Sequence, residues 1–212
     1  MKCLNQFITE YIIKKKLDKP INSEITNYLY HPENKSELSK VIKKLLKDNQ
    51  TDLNVIDVSK ITNMSDLFNQ INGKIKITNI DISEWNVSNV TNMENMFFDC
   101  NKFNCDLSKW NVSKVENMDS MFANCENFTG EGLENWDISN VENIGAMCYN
   151  CKKFDCDLSK WDVSNVLNME YMFYNCKKFD CDLSSWDVSN VNNMDFMFYG
   201  CTSLKNTPSW YK

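Results

Sequence analysis

A repeat of about 25 residues runs through most of the chain, and it restricts the folds that this sequence can adopt. Tryptophan marks the unit, at Trp85, Trp110, Trp136, Trp161, Trp186 and Trp210. An eroded first copy lies at 53–68, where Ile56 takes the place of tryptophan. One unit of this length cannot bury its own apolar side chains, so the copies must stack and share a continuous core. We therefore predict about six stacked repeats over residues 51–212.

Each unit has two halves with different apolar periodicities. In the first half, Phe154, Cys156 and Leu158 alternate with polar residues, which is typical of a half-buried strand. In the second half, the apolar residues of 166–176 are spaced like one face of a short helix. The sequence therefore predicts an α/β repeat. Its fold is a right-handed, leucine-rich-repeat-like solenoid with a short strand and a short helix in each coil.

Two aromatic columns supply the largest side chains of the predicted core. A buried tryptophan or phenylalanine removes roughly 150–250 Å² of surface from water, so these positions dominate the expected stability. The structural core is predicted to contain Trp85, Trp110, Trp136, Trp161, Trp186, Phe97, Phe122, Phe173 and Phe198.

The two ends of the chain differ from the repeats. Helical spacing of apolar residues at 4–12 and at 38–46, with Ser36 as a cap, predicts two helices. We therefore assign residues 1–50 to a helical N-terminal arm and cap, because an open solenoid end needs a cover. Pro208, beside the last tryptophan, predicts a C-terminal cap strand that limits further stacking.

The composition argues against several classes of function. All 23 cationic residues are lysines and the formal net charge is −6, which argues against nucleic-acid binding. His31 is the one histidine, and the five glycines form no phosphate-binding loop. We expect no enzyme activity, no cofactor, no metal and no membrane span. The first residues do not resemble a signal peptide, which predicts a cytoplasmic protein; the alternative is a virion-associated or surface protein exported without a signal.

Cysteines form two columns in the repeat, and three interpretations remain open. The columns are Cys100, Cys125, Cys151, Cys176 and Cys201, and Cys105, Cys156 and Cys181. The side chains are expected to be small buried fillers. The alternatives are disulfides between neighbouring coils, or a metal or redox site, which the Cys148–Cys151 pair also fits.

Aspartates recur on the predicted strand face and are the candidate partner-binding residues. Asp81, Asp106, Asp157 and Asp182 share one column, and Asp155 and Asp180 lie beside it. Stacked carboxylates repel one another, and a basic partner or Ca²⁺ would relieve that repulsion. The other interpretation is a solvated face whose side chains bond to turns of the backbone.

The repeat, which reads F-x-x-D-L-S-x-W-D-V-S-N-V-x-N-M-x-x-M-F-x-x-C, resembles that of the BspA-like leucine-rich-repeat surface proteins, also called DUF285. The resemblance implies adhesion or protein interaction and carries over no catalytic residue. We therefore predict a non-catalytic scaffold that binds a protein partner through the strand face. The alternatives are a structural component of a phage, a viral particle or another assembly, including a homo-oligomer, and a thiol redox or metal-binding protein.

Overall fold

The chain forms a stack of coils with a helix packed on the first one. The computed structural model describes residues 28–72 and 79–212. Helix α1 spans Lys35–Lys47, helix α2 is the single turn Asn69–Asn72, and a 3₁₀ turn covers Leu133–Asn135. Neighbouring coils are joined by isolated parallel bridges through one asparagine column, whose members are Asn63, Asn92, Asn117, Asn143, Asn168 and Asn193.

The predicted α/β solenoid, with a strand and a helix in every coil, is wrong. Within residues 28–72 and 79–212 there is no β-sheet, and the only helix longer than one turn is α1, which precedes the repeats. The coils are built from successive turns that hydrogen-bond to the turns of the next coil.

The half of each unit that was predicted to be a helix is a run of β-turns. In one coil, Met96 N donates to Met93 O and Cys100 N donates to Phe97 O, each spanning three residues. The N–H groups of residues 93, 95, 97 and 99 donate instead to the carbonyls of 117, 119, 121 and 123 in the next coil. Left-handed residues with φ of 53° and 61° stand at Asn95 and Asp99 and interrupt any helix. Backbone hydrogen bonds between coils therefore replace those that would form within a helix.

The half that was predicted to be a strand also consists of turns. The side chain of Asp106 accepts a hydrogen bond from Ser108 N at 2.8 Å, which forms an Asx turn. Trp110 N then donates to Leu107 O and closes a β-turn. These turns point alternate side chains toward the core, which produces the alternation of apolar and polar residues without a strand. At the C-terminus a further turn, in which Tyr211 N donates to Pro208 O, stands where a cap strand was predicted.

The core consists of side-chain columns that run along the stack. Trp110 and Trp136 lie parallel with ring centroids 6.3 Å apart, and Phe97 and Phe122 are 5.5 Å apart. Each indole N–H also donates to a carbonyl of the preceding coil, as Trp161 does to Leu133 O at 2.8 Å. All nine predicted core residues are buried: Trp85, Trp110, Trp136, Trp161, Trp186, Phe97, Phe122, Phe173 and Phe198.

Helix α1 covers the first coil. Its apolar face buries Leu38, Ile42, Leu45 and Leu46, so the helix predicted at 38–46 is confirmed. Its cap is Asn34 instead of Ser36, because the Asn34 side chain accepts a hydrogen bond from Glu37 N.

A polar contact also joins α1 to the repeats: Lys35 Nζ donates to the carbonyl and the hydroxyl of Ser65. The helix predicted at 4–12 lies outside the described residues. The domain boundary at residue 50 stays a prediction.

Candidate partner-binding surfaces

Four of the six candidate aspartates line one open, shallow cleft of about 350 Å³ between the last two full coils. We call this the acidic cleft, and its carboxylates belong to Asp155, Asp157, Asp180 and Asp182. It continues past Asp155 and Asp157 into a smaller cleft of about 270 Å³ that contains Glu131 and Glu134.

The other two candidates, Asp81 and Asp106, lie further along the stack beside Cys105. Burial raises the pKa of the Cys105 thiol, and the charges of Asp81 and Asp106 add to that rise. The structure therefore brings four of the six candidate residues together and leaves two apart.

Asx turns hold two of the cleft carboxylates in place. Asp157 Oδ1 accepts Ser159 N at 3.0 Å, and Asp182 Oδ1 accepts Ser184 N at 2.9 Å. Hydrogen bonds from the side chain and the backbone of Ser159 lower the pKa of Asp157, and Ser184 lowers the pKa of Asp182 in the same way. The turn-bonding interpretation therefore applies to this column, and the bonds favour the ionised form of both acids.

The remaining two cleft carboxylates have different surroundings. The Asp180 side chain pairs with Lys205, whose hydrogen bond lowers the pKa of Asp180. Within the part of the chain that the structure describes, the Asp155 side chain makes no hydrogen bond or ion pair. The cleft therefore keeps more negative charge than the described lysines pair with.

The described cysteines are free thiols, and most are buried. Several donate to a carbonyl of the preceding coil, as Cys125 Sγ does to Phe97 O at 3.1 Å. Burial raises the pKa of Cys100 and of Cys156 to about 12 and that of Cys181 to about 11. The thiolate is the reactive form, so these side chains stay protonated near neutral pH. Among residues 28–72 and 79–212, no three His, Cys, Asp or Glu side chains are grouped as metal ligands.

A second surface was not predicted from the sequence. Five aromatic side chains from the last three full coils form a cluster at the surface, which we call the aromatic patch; three are half-buried and two are exposed: Tyr149, Tyr171, Tyr174, Phe196 and Tyr199. The ring of Tyr174 stacks between Tyr149 at 4.8 Å and Tyr199 at 5.0 Å. Tyr171 stacks on Phe196 at 5.4 Å and meets Tyr174 edge-on. Phe196 is 52% exposed and Tyr199 is 61% exposed, so the patch is open to solvent.

The backbone of the patch is strained at two aromatic residues. Tyr171 and Phe196 both have a φ of 55°, a conformation that is rare for bulky side chains. The same column holds smaller residues in the earlier coils, namely Asp66, Asn95, Ser120 and Ala146. Alignment of the repeat copies distinguishes these surface aromatics from the core, because the earlier copies hold small or polar residues in this column. The apolar pattern within one unit does not.

None of the helices in the described ranges has the length and apolar character needed to cross a membrane.

A family model described as "Mycoplasma protein of unknown function, DUF285" matches the chain at residues 36–132 and again at 121–212. The match confirms the family resemblance that the repeat predicted. No curated protein and no solved structure matches the chain.

Proposed function

We propose that this chain, which belongs to the DUF285 family of proteins of unknown function, is a non-catalytic scaffold that binds a basic segment of a protein partner in the acidic cleft. The observation that carries the proposal is the set of carboxylates at Asp155, Asp157 and Asp182. Among the described residues, none of the three forms an ion pair with a lysine.

The shape of the cleft supports a polypeptide partner. Sites for small molecules usually enclose most of the ligand surface, whereas this cleft is shallow and open along the stack. Lysine or arginine side chains of an extended segment would each reach a carboxylate, because acids recur in successive coils.

The chemistry of the described titratable groups supports binding rather than catalysis. The two thiols of the cleft, Cys156 and Cys181, have pKa values raised by burial to about 12 and about 11, which disfavours a nucleophilic thiolate. His31 lies near Asp57, in a coil at the opposite end of the stack from the cleft.

The chain offers variants that remove charge from the cleft and keep its turns. Asparagine forms Asx turns of this kind elsewhere in the coils, at Asn86 and Asn111, so we expect Asp157→Asn with Asp182→Asn to keep the turns. The matched control is Asp162→Asn with Asp187→Asn, because these residues form Asx turns outside the cleft. Both double variants change the net charge by the same amount.

Calorimetric titration with a synthetic peptide of alternating lysine and glycine tests the proposal. We expect binding that weakens with added salt, and a loss of about tenfold in affinity, or about 1.4 kcal/mol, in the cleft variant alone. A peptide in which glutamate replaces lysine should not bind. Equal losses in the cleft variant and the control variant would contradict the proposal, because net charge and not the cleft would then govern binding.

A further inference from the structure

The aromatic patch is a second surface, and its composition is typical of an interaction site. Exposed large apolar side chains are few in the described residues, and Phe196 and Tyr199 are the most exposed of them. Contiguous exposed apolar surface of this kind usually marks an interaction site. Two of the rings stand at a left-handed backbone position that the earlier coils fill with smaller residues, so the fold itself does not require aromatic side chains there.

Stacking within the patch covers part of the ring surface. Tyr174 is covered on both sides by stacked neighbours, and Tyr171 is covered on one side by Phe196. Ring edges pack well against the faces and edges of other aromatic rings. Two patches of the same composition are therefore compatible with each other.

Charged residues flank the patch with opposite signs. Along one coil the chain passes from Glu170 through Tyr171 and Tyr174 to Lys177 and Lys178. No ion pair with another described residue involves Glu170, Lys177 or Lys178. One flank is thus acidic and the other is basic.

We propose that the aromatic patch is the interface of a twofold symmetric dimer, and that its occupant is a second copy of this chain. A twofold axis parallel to the stack of coils places Glu170 of one copy opposite Lys177 and Lys178 of the other, twice. An axis across the stack would place acid against acid. The parallel arrangement therefore buries both patches and pairs both flanks.

The dimer is independent of the acidic cleft, since the two surfaces share no residue. Failure of peptide binding in the cleft leaves the dimer in place, and failure of the dimer leaves peptide binding in place.

Sedimentation equilibrium of the full chain at concentrations up to about 100 µM tests the interface. We expect a dimer, and we expect Tyr171→Asn with Phe196→Asn to weaken its association at least tenfold. Asparagine occupies the same backbone position at Asn95, so this variant should fold at least as well as the parent chain. Leu29→Asn is the matched control, because Leu29 is 47% exposed but lies outside the repeats; it should leave association unchanged.

Charge reversal tests the orientation of the two copies. Glu170→Lys alone and Lys177→Glu alone should each weaken the dimer, because each places like charges across the interface. An equimolar mixture of the two variants should restore association as a heterodimer. A parent chain that stays monomeric over the whole range, or a dimer that the aromatic variant leaves intact, would overturn the proposal; a mixture that does not recover would overturn the parallel arrangement.

Discussion

Replacement of Trp161 by alanine is expected to lower the free energy of unfolding by about 3–5 kcal/mol. The side chain is 4% exposed and stacks on Trp186 with centroids 6.5 Å apart. Burial of roughly 150–250 Å² at about 25 cal/mol per Å² corresponds to about 4–6 kcal/mol. Residual burial in the unfolded chain reduces that figure by roughly 10–40%, to about 2–5 kcal/mol, a range that includes the expected loss.

The hydrogen bond of Trp161 accounts for a smaller share of this loss. The indole N–H donates to Leu133 O at 2.8 Å, and the same carbonyl also accepts Trp136 N at 3.1 Å. Trp161→Phe keeps most of the apolar contact and leaves that carbonyl with one partner. We expect this variant to lose only about 1–2 kcal/mol.

Urea unfolding followed by far-ultraviolet circular dichroism measures these differences without relying on tryptophan fluorescence. Trp210→Ala is the positional control, because Trp210 is half-buried in the closing turn, and its loss should be smaller than that of Trp161→Ala. A loss of unfolding free energy below about 1 kcal/mol for Trp161→Ala would refute the prediction that the tryptophan column stabilises the core.

Two further predictions concern the backbone and the thiols. Gly132→Ala should destabilise the chain by at least about 2 kcal/mol in the same urea assay. The φ of Gly132 is 96°, and a Cβ atom there would lie 2.3 Å from the backbone nitrogen of Ser108. Gly200→Ala should lose less stability, because its Cβ would meet the side chain of Asn175 instead of the backbone. Between about pH 6 and pH 9 stability should be constant, and above pH 9 it should fall by up to about 1.4 kcal/mol per pH unit for each buried thiol. The reason is that burial raises the pKa of groups such as Cys100 to about 12 while the unfolded chain ionises near 9. Cys100→Ala should make stability fall less steeply above about pH 9. An unchanged dependence on pH in that variant would contradict the raised pKa of the Cys100 thiol.

The stacking of the repeats was predictable because it depends on period and side-chain size. Tryptophans at intervals of about 25 residues have no buried position in an isolated unit, so a shared core follows from the sequence alone. The helix at 38–46 was predictable for a similar reason, since its apolar residues return every three or four positions and its exposed face is rich in lysine.

The local structure of the coils was not predictable from apolar spacing, because two kinds of backbone produce the same pattern. Successive turns return side chains to the core every three or four residues, as a helix does. The distinguishing signal lies in polar residues: Asn95 and Asp99 recur at a spacing of four and tolerate a positive φ, whereas both are poor helix formers. Likewise, Asp106 and Ser108 form a turn where alternation predicted a strand.

The candidate sites were predictable to different degrees. The aspartate column was identified from the sequence, and the structure adds that Asp157 and Asp182 share a cleft with Asp155 and Asp180. The aromatic patch was missed because Tyr171 resembles one more apolar residue of the repeat. Its exposure depends on a left-handed backbone position that spacing alone does not identify.

Amide chemical-shift mapping of the full chain during titration with the lysine–glycine peptide locates the binding site residue by residue, and so tests whether the acidic cleft binds a basic polypeptide segment. We expect the shifts to concentrate at residues 155–157, 159 and 180–182, which line the cleft. Shifts spread over all acidic residues, or concentrated on the aromatic patch, would contradict it.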